Sequence, residues 1–154
     1  MKSAAADAHK KKVLFLCTHN SARSQMAEGL LRAMHGEEYE AYSAGVAATS
    51  VDPSAVLVMK EMGIDISGQR SKTSSEFGET IFDLAVTVCD RARQACPICS
   101  TDIELPSSLP KAREVIHRSF EDPAAATGSK EEQLEAFRRV RDETADWISQ
   151  KFGR

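Results

Sequence analysis

Val13-Leu14-Phe15-Leu16-Cys17-Thr18-His19-Asn20-Ser21-Ala22-Arg23-Ser24 is the stretch on which the reading of the whole chain turns. Val13–Leu16 is a continuous apolar run, the composition of a parallel strand covered on both faces. From Ala22 onward the period changes. Met26, Ala27, Leu30, Leu31 and Met34 recur at helical spacing, and Gly36 follows as a stop. Between strand and helix lies a loop holding Cys17 and Arg23, with Thr18 to Ala22 between them. In an open α/β sheet that is the edge where ligands bind, outside the carboxyl ends of the strands.

Working outward, Tyr39–Ala44 alternates weakly and reads as a second strand closed by Gly45. Asp52-Pro53 opens a helix that carries Val56, Leu57, Met59, Lys60 and Met62 on to Gly63. Ile81–Val88 is apolar and β-rich, a third strand, and Val115–Phe120 reads as a fourth. Lys130–Phe152 is a long amphipathic helix with Leu134, Phe137, Val140, Thr144, Trp147 and Ile148 on one stripe. Strands alternating with helices imply an α/β fold: a four-stranded parallel sheet flanked by helices, with right-handed crossovers. Residues 13–154 read as a single domain and residues 1–12 as a flexible leader. The segment Asp90–Lys111, rich in Cys, Pro, Ser and charge, is too long for a plain connection and reads as a functional loop.

Bulk properties exclude several classes. The chain has 154 residues, 42% hydrophobic and 28% charged, with a formal net charge of −3, the profile of a globular protein. That charge gives no reason to expect nucleic-acid or membrane binding. No apolar stretch approaches the roughly 20 residues of a spanning helix, and Met1–Lys12 lacks the apolar core of a signal peptide. Four cysteines in such a chain argue for reduced thiols in the cytoplasm rather than a disulfide framework. A monomer is the default at this size.

The loop has a chemistry of its own. Its length allows successive backbone N–H groups, from Thr18 to Ser24, to point into a concavity capped by a helix N-terminus, which binds a tetrahedral oxyanion. Arg23 supplies a planar fork for two oxygens of that anion. The same positive field holds Cys17 as the nucleophilic thiolate. Ser24 can donate a hydrogen bond to it, and Asn20 suits the left-handed backbone of the curl. His19 is given no proton-transfer role. A lone cysteine at a strand end would be read as core; the spacing to Arg23 is what argues otherwise.

Val13–Gly29, VLFLCTHNSARSQMAEG, resembles the signature of the low-molecular-weight protein tyrosine phosphatase superfamily. Ser24-Gln25-Met26-Ala27-Glu28 is similar to its arsenate reductase branch, as are Tyr42-Ser43-Ala44-Gly45, Phe120-Glu121-Asp122-Pro123 and Phe137–Glu143. The resemblance implies a low-molecular-weight phosphatase-like, Rossmann-like fold and, at Asp122, the general acid that protonates a leaving oxygen. By itself Asp122-Pro123 would mark only a turn. Phosphatases of the family follow this pair with aromatic residues, whereas here Ala124-Ala125-Ala126 follows.

Arsenate reduction needs two electrons, and no cofactor motif is present to supply them; a chain of thiols can. In the thioredoxin-coupled reductases two further cysteines stand seven residues apart, the second followed by Pro-Ile. Cys89, Cys96 and Pro97-Ile98 match. The resemblance therefore implies arsenate as substrate, Cys17, Cys89 and Cys96 as successive nucleophiles, and thioredoxin as partner. Cys99 is extra and is read as neutral, since a zinc site from Cys89, Cys96, Cys99 and His117 has poor spacing. Some reductases of the branch also bind potassium through Asn, Glu, Ser and Asp. Asn20, Glu28 and Ser43 match the first three, but Lys72 stands at the fourth, so its ammonium is expected to occupy the cation's place and pair with Glu28. The competing function is hydrolysis of phosphotyrosine by Cys17, Arg23 and Asp122 alone. A third is an oxyanion-binding module without catalysis.

Overall fold

The computed structural model describes residues 10–17, 19–45, 47–77, 80–88 and 111–153. Strand β1 (Lys11–Cys17) lies inside a four-stranded sheet, between β2 (Tyr39–Gly45) and β4 (Leu84–Thr87), with β6 (Val115–His117) beyond β4. All three pairings are parallel. Val13, Leu14, Phe15, Leu16 and Cys17 are at most 5% exposed, as a strand covered on both faces requires. The chain leaves β1 for β2 on one side and later returns as β4 on the other. That reversal puts the topological switch point at the carboxyl end of β1, where the loop bearing Cys17 begins. The expected α/β fold with a four-stranded parallel sheet is therefore present.

Strand β1 begins earlier than expected, at Lys11, and takes in the last two residues of the anticipated leader. Lys11 and Lys12 pair with Tyr39 and Glu40 through their backbones, a pairing that asks nothing of side-chain polarity. The third strand does not run unbroken from Ile81 to Val88. At Asp83 the backbone N–H donates to Lys12 O at 2.9 Å, while the carboxylate Oδ2 accepts from Lys12 N at 2.8 Å. The carboxylate replaces a strand carbonyl, and the chain bends there. Its first part, β3 (Ile81–Phe82), pairs instead with β5 (Lys111–Ala112) in a separate two-stranded sheet. The fourth strand stops at His117, although Arg118 N still donates to Thr87 O at 2.9 Å and Phe120 N to Val88 O at 3.0 Å. Those bonds carry the chain along the end of β4 toward Asp122.

Helix α1 (Arg23–His35) follows the loop and buries Met26, Ala27, Leu30 and Leu31 completely. Helix α2 (Pro53–Lys60) is capped by Asp52, whose Oδ1 accepts from Ser54 N at 2.8 Å. It stops short of Gly63 in a Schellman turn: Ile64 N donates to Met59 O at 3.1 Å and Gly63 N to Lys60 O at 2.9 Å. Gly63 takes φ +78° there. Helix α3 (Lys130–Phe152) starts at a capping box formed by Ser129 and Glu132 and packs on α1 and α2. Its Trp147 meets Phe120 edge to face at 6.2 Å, which ties the long helix to the loop before Asp122. No helix among the described residues is long and apolar enough to cross a membrane.

Gly29 on α1 marks a close approach of that helix to side chains packed on it. A Cβ there would stand 2.6 Å from Ile66 Cγ2 and 3.2 Å from Met59 Cε. Ile66 is 1% exposed and β-branched, so it has little room to retreat. Gly29→Ala is expected to destabilise the fold by about 1–3 kcal/mol, read as a lowered denaturation midpoint with an unchanged slope.

Candidate active site

Cys17 closes β1, 3% exposed, with Gly45 as its register partner on β2. Beyond it, Asn20 takes φ +52°, the left-handed turn anticipated at this residue. Three successive carbonyls of the loop are then held from outside. His19 O accepts from Ser71 Oγ at 2.9 Å, Asn20 O from Gln25 Nε2 at 3.0 Å, and Ser21 O from Asp52 N at 2.9 Å. In a trans peptide the N–H points opposite to the C=O. Anchoring these carbonyls outward therefore turns the amides of Asn20, Ser21 and Ala22 toward the concave side, a nest suited to an anion.

The side chain of Asn20, fully buried, braces the curl. Its Nδ2 donates to Ser24 Oγ at 2.8 Å, and its Oδ1 accepts from Gln25 Nε2 and from Lys72 N, each at 2.9 Å. Ser24 accepts in that bond, so its hydroxyl keeps a hydrogen to donate, as a role toward a thiolate requires. The concave side is a cavity of about 110 Å³, lined by Cys17, His19, Ser21, Ala22, Arg23, Thr49, Asp122 and Ala124. Arg23 Nη1 donates to Phe120 O at 3.1 Å, and Nη2 lies 3.7 Å from Asp122 Oδ2. Asp122 does two things at once. Oδ1 accepts from Ala124 N at 3.0 Å and caps the short 3₁₀ turn Pro123–Ala125, while Oδ2 faces the arginine. Asp122 thus caps the turn and lines the cavity at once.

Thus Cys17, His19, Ser21, Ala22, Arg23 and Asp122 share one cavity, with the side chains of Asn20 and Ser24 joined directly behind it. Thr18, Cys89, Cys96 and Cys99 lie outside the described residues. Sequence reasoning passed over Gln25 as an anchor, and Asp52, Ser71 and Thr49 as neighbours of the loop. Gln25 alone carried a signal. It is a polar residue beside the apolar stripe of α1, and it is fully buried.

Behind the loop, Glu28 is 6% exposed. Its Oε1 accepts from Ser43 Oγ at 2.5 Å and its Oε2 from Arg32 Nη2 at 2.5 Å. Lys72 Nζ does pair with Glu28, at 3.8 Å, and donates to Arg70 O at 3.0 Å. Burial pushes the Lys72 pKa below its ordinary value, against the pull of Glu28. The nearer cation, however, is Arg32, which also reaches Ala41 O at 3.1 Å. Two protein cations thus neutralise the buried carboxylate.

A sheet of this order, with a cysteine–arginine anion loop at its switch point, defines a class, and the chain belongs to the low molecular weight phosphotyrosine protein phosphatase family, whose model matches residues 12–152. Within it, the chain is 47% identical over 135 residues to an arsenate reductase of Halalkalibacterium halodurans, covering 88% of this chain and 90% of the relative. It is 42% identical over 140 residues to the arsenate reductase of Bacillus subtilis, covering 91% and 94%. Among solved structures, an arsenate reductase in the phosphate binding state superposes with a TM-score of 0.70 at 31% identity, over 91% of this chain and 95% of that one. A low molecular weight protein tyrosine phosphatase from T. tengcongensis gives 0.68 at 28% identity, over 93% and 98%.

Proposed function

We propose that the chain is a thioredoxin-dependent arsenate reductase that binds arsenate, or phosphate in its place, in the cavity beside Cys17. The amides of Asn20, Ser21 and Ala22 and the fork of Arg23 take the oxyanion oxygens. The Cys17 thiolate attacks arsenic while Asp122 protonates the departing oxygen, which leaves as water. Cys89 then attacks the Cys17 sulfur. The electron pair of the S–As bond stays on arsenic, which leaves as arsenite, and a Cys17–Cys89 disulfide remains. Cys96 attacks Cys89, frees Cys17 as thiolate, and leaves a Cys89–Cys96 disulfide for thioredoxin to reduce. The chain from Lys11 onward acts as one catalytic domain, as a monomer. A cascade that starts from free thiols belongs in a reducing compartment, the cytoplasm.

The cavity alone serves arsenate reduction and phosphate-ester hydrolysis equally, since both substrates are tetrahedral oxyanions. The observation that decides between them is the identity of 40–47% to relatives named arsenate reductase over about nine tenths of the chain. Weak aryl-phosphate hydrolysis accompanies the main activity. The test is arsenate-dependent NADPH oxidation by the reduced protein with thioredoxin and thioredoxin reductase. Sustained turnover is expected. Brisk aryl-phosphate hydrolysis without any arsenate turnover would make the chain a phosphatase.

Since Arg32 and Lys72 both neutralise Glu28, potassium is expected to leave that turnover unchanged relative to sodium at equal ionic strength. Steep, potassium-specific activation would show that a cation still binds beside Asn20.

A further inference from the structure

The three anchors of the loop carbonyls differ in kind. Gln25 belongs to the helix that continues the loop, and Asp52 contributes a backbone amide. Ser71 is a side chain on a separate segment, half-buried at the rim of the site. Its hydroxyl is spoken for on both sides: it accepts from Thr49 N at 2.9 Å and donates to His19 O at 2.9 Å. A hydroxyl has one hydrogen, and the incoming Thr49 amide leaves that hydrogen aimed at His19. The segment is fixed in turn through the next residue. Lys72 N donates to Asn20 Oδ1 at 2.9 Å, and Lys72 O accepts from Gly45 N at 2.9 Å, beside Cys17 on the neighbouring strand.

We propose that Ser71 is a positioning residue for the oxyanion: by holding the His19 carbonyl outward, it aims the Asn20 N–H into the cavity that Cys17 lines. The inference rests on the reading of that cavity as an oxyanion site. When the hydroxyl is gone the His19 carbonyl keeps the long bond from Thr49 Oγ1 at 3.5 Å and can take up water, but neither has the fixed direction that the Thr49 amide imposes on Ser71. The peptide is then free to rotate, and one amide of the nest is lost part of the time. Both the bound anion and the Cys17 thiolate feel that loss, because the same amides stabilise both.

The experiment is alkylation of Cys17 by iodoacetamide, followed by mass spectrometry of its peptide, across pH and with increasing inorganic phosphate. In Ser71→Ala, protection by phosphate is expected to need roughly 3- to 10-fold more anion, the effect of one ordinary hydrogen bond. The alkylation profile should move to higher pH, and KM for arsenate should rise more than kcat falls. Ser71→Thr keeps donor and acceptor and should restore all three. Ser71→Cys, a weaker donor, should fall between wild type and Ser71→Ala, and it stands in if the alanine variant does not fold. Wild-type protection and pH profile in both Ser71→Ala and Ser71→Cys would overturn the proposal, as would failure of Ser71→Thr to restore them. If phosphate fails to protect Cys17 in the wild type, the oxyanion reading itself falls, an outcome distinct from a silent Ser71.

Discussion

Cys17→Ser is expected to abolish arsenate reduction and aryl-phosphate hydrolysis together, by about four orders of magnitude or more, while Cys89→Ser abolishes only the first. The asymmetry follows from where each residue acts. Cys17 stands at the end of β1 against the cavity, and in the proposed mechanism chemistry on an oxyanion bound there begins with its sulfur. A serine hydroxyl at that position stays protonated at neutral pH and is a poor nucleophile. Hydrolysis of an ester needs only Cys17, Arg23, Asp122 and water. Reduction needs a second sulfur to receive the first bond and leave an electron pair on arsenic. In Cys89→Ser the sequence stops at the arsenic–Cys17 adduct, so coupled NADPH oxidation disappears while aryl-phosphate turnover stays near the wild-type rate. Equal loss of both activities in Cys89→Ser would mean that Cys89 supports the anion loop rather than the redox step.

Arg23→Lys should lower kcat/KM for arsenate and for an aryl phosphate by about two to three orders of magnitude, the scale of losing one preorganised oxyanion donor. The guanidinium is held from two directions, by Phe120 O at 3.1 Å and Asp122 Oδ2 at 3.7 Å. Its plane is therefore set before substrate arrives. A lysine ammonium keeps the charge but neither the plane nor the fork, and it cannot hold the Phe120 carbonyl and two anion oxygens together. Steady-state kinetics of both reactions measure the effect. A drop of less than ten-fold would show that the loop amides carry the anion without the arginine.

The parts of this architecture written in short-range patterns were legible from the residues. The apolar run Val13–Leu16 and the helical period after Ala22 placed the strand–loop–helix unit. The spacing of Cys17 and Arg23 placed both residues at one cavity, and Asn20 announced the left-handed turn. What escaped depends on partners far away in the chain. Asp83 looks like any polar residue in a strand until its carboxylate takes the Lys12 amide and bends the backbone. Ser71 and Asp52 look like loop residues until they hold loop carbonyls. Arg32, a surface residue of α1 by its pattern, turned out to be the nearer partner of Glu28 than Lys72. The redox role proposed for Cys89 and Cys96 rests on their spacing and the following Pro-Ile alone.

The long separations that hold the anion loop together also order events while the chain is being made. His19 waits for Ser71, 52 residues on, and Arg23 for Phe120, 97 residues on. Until that last third has left the ribosome and folded back, a nascent chain has its reactive sulfur but no clamp beside it. Loop closures of that length follow local helix formation, so the polypeptide acquires its grip on oxyanions at the end of folding.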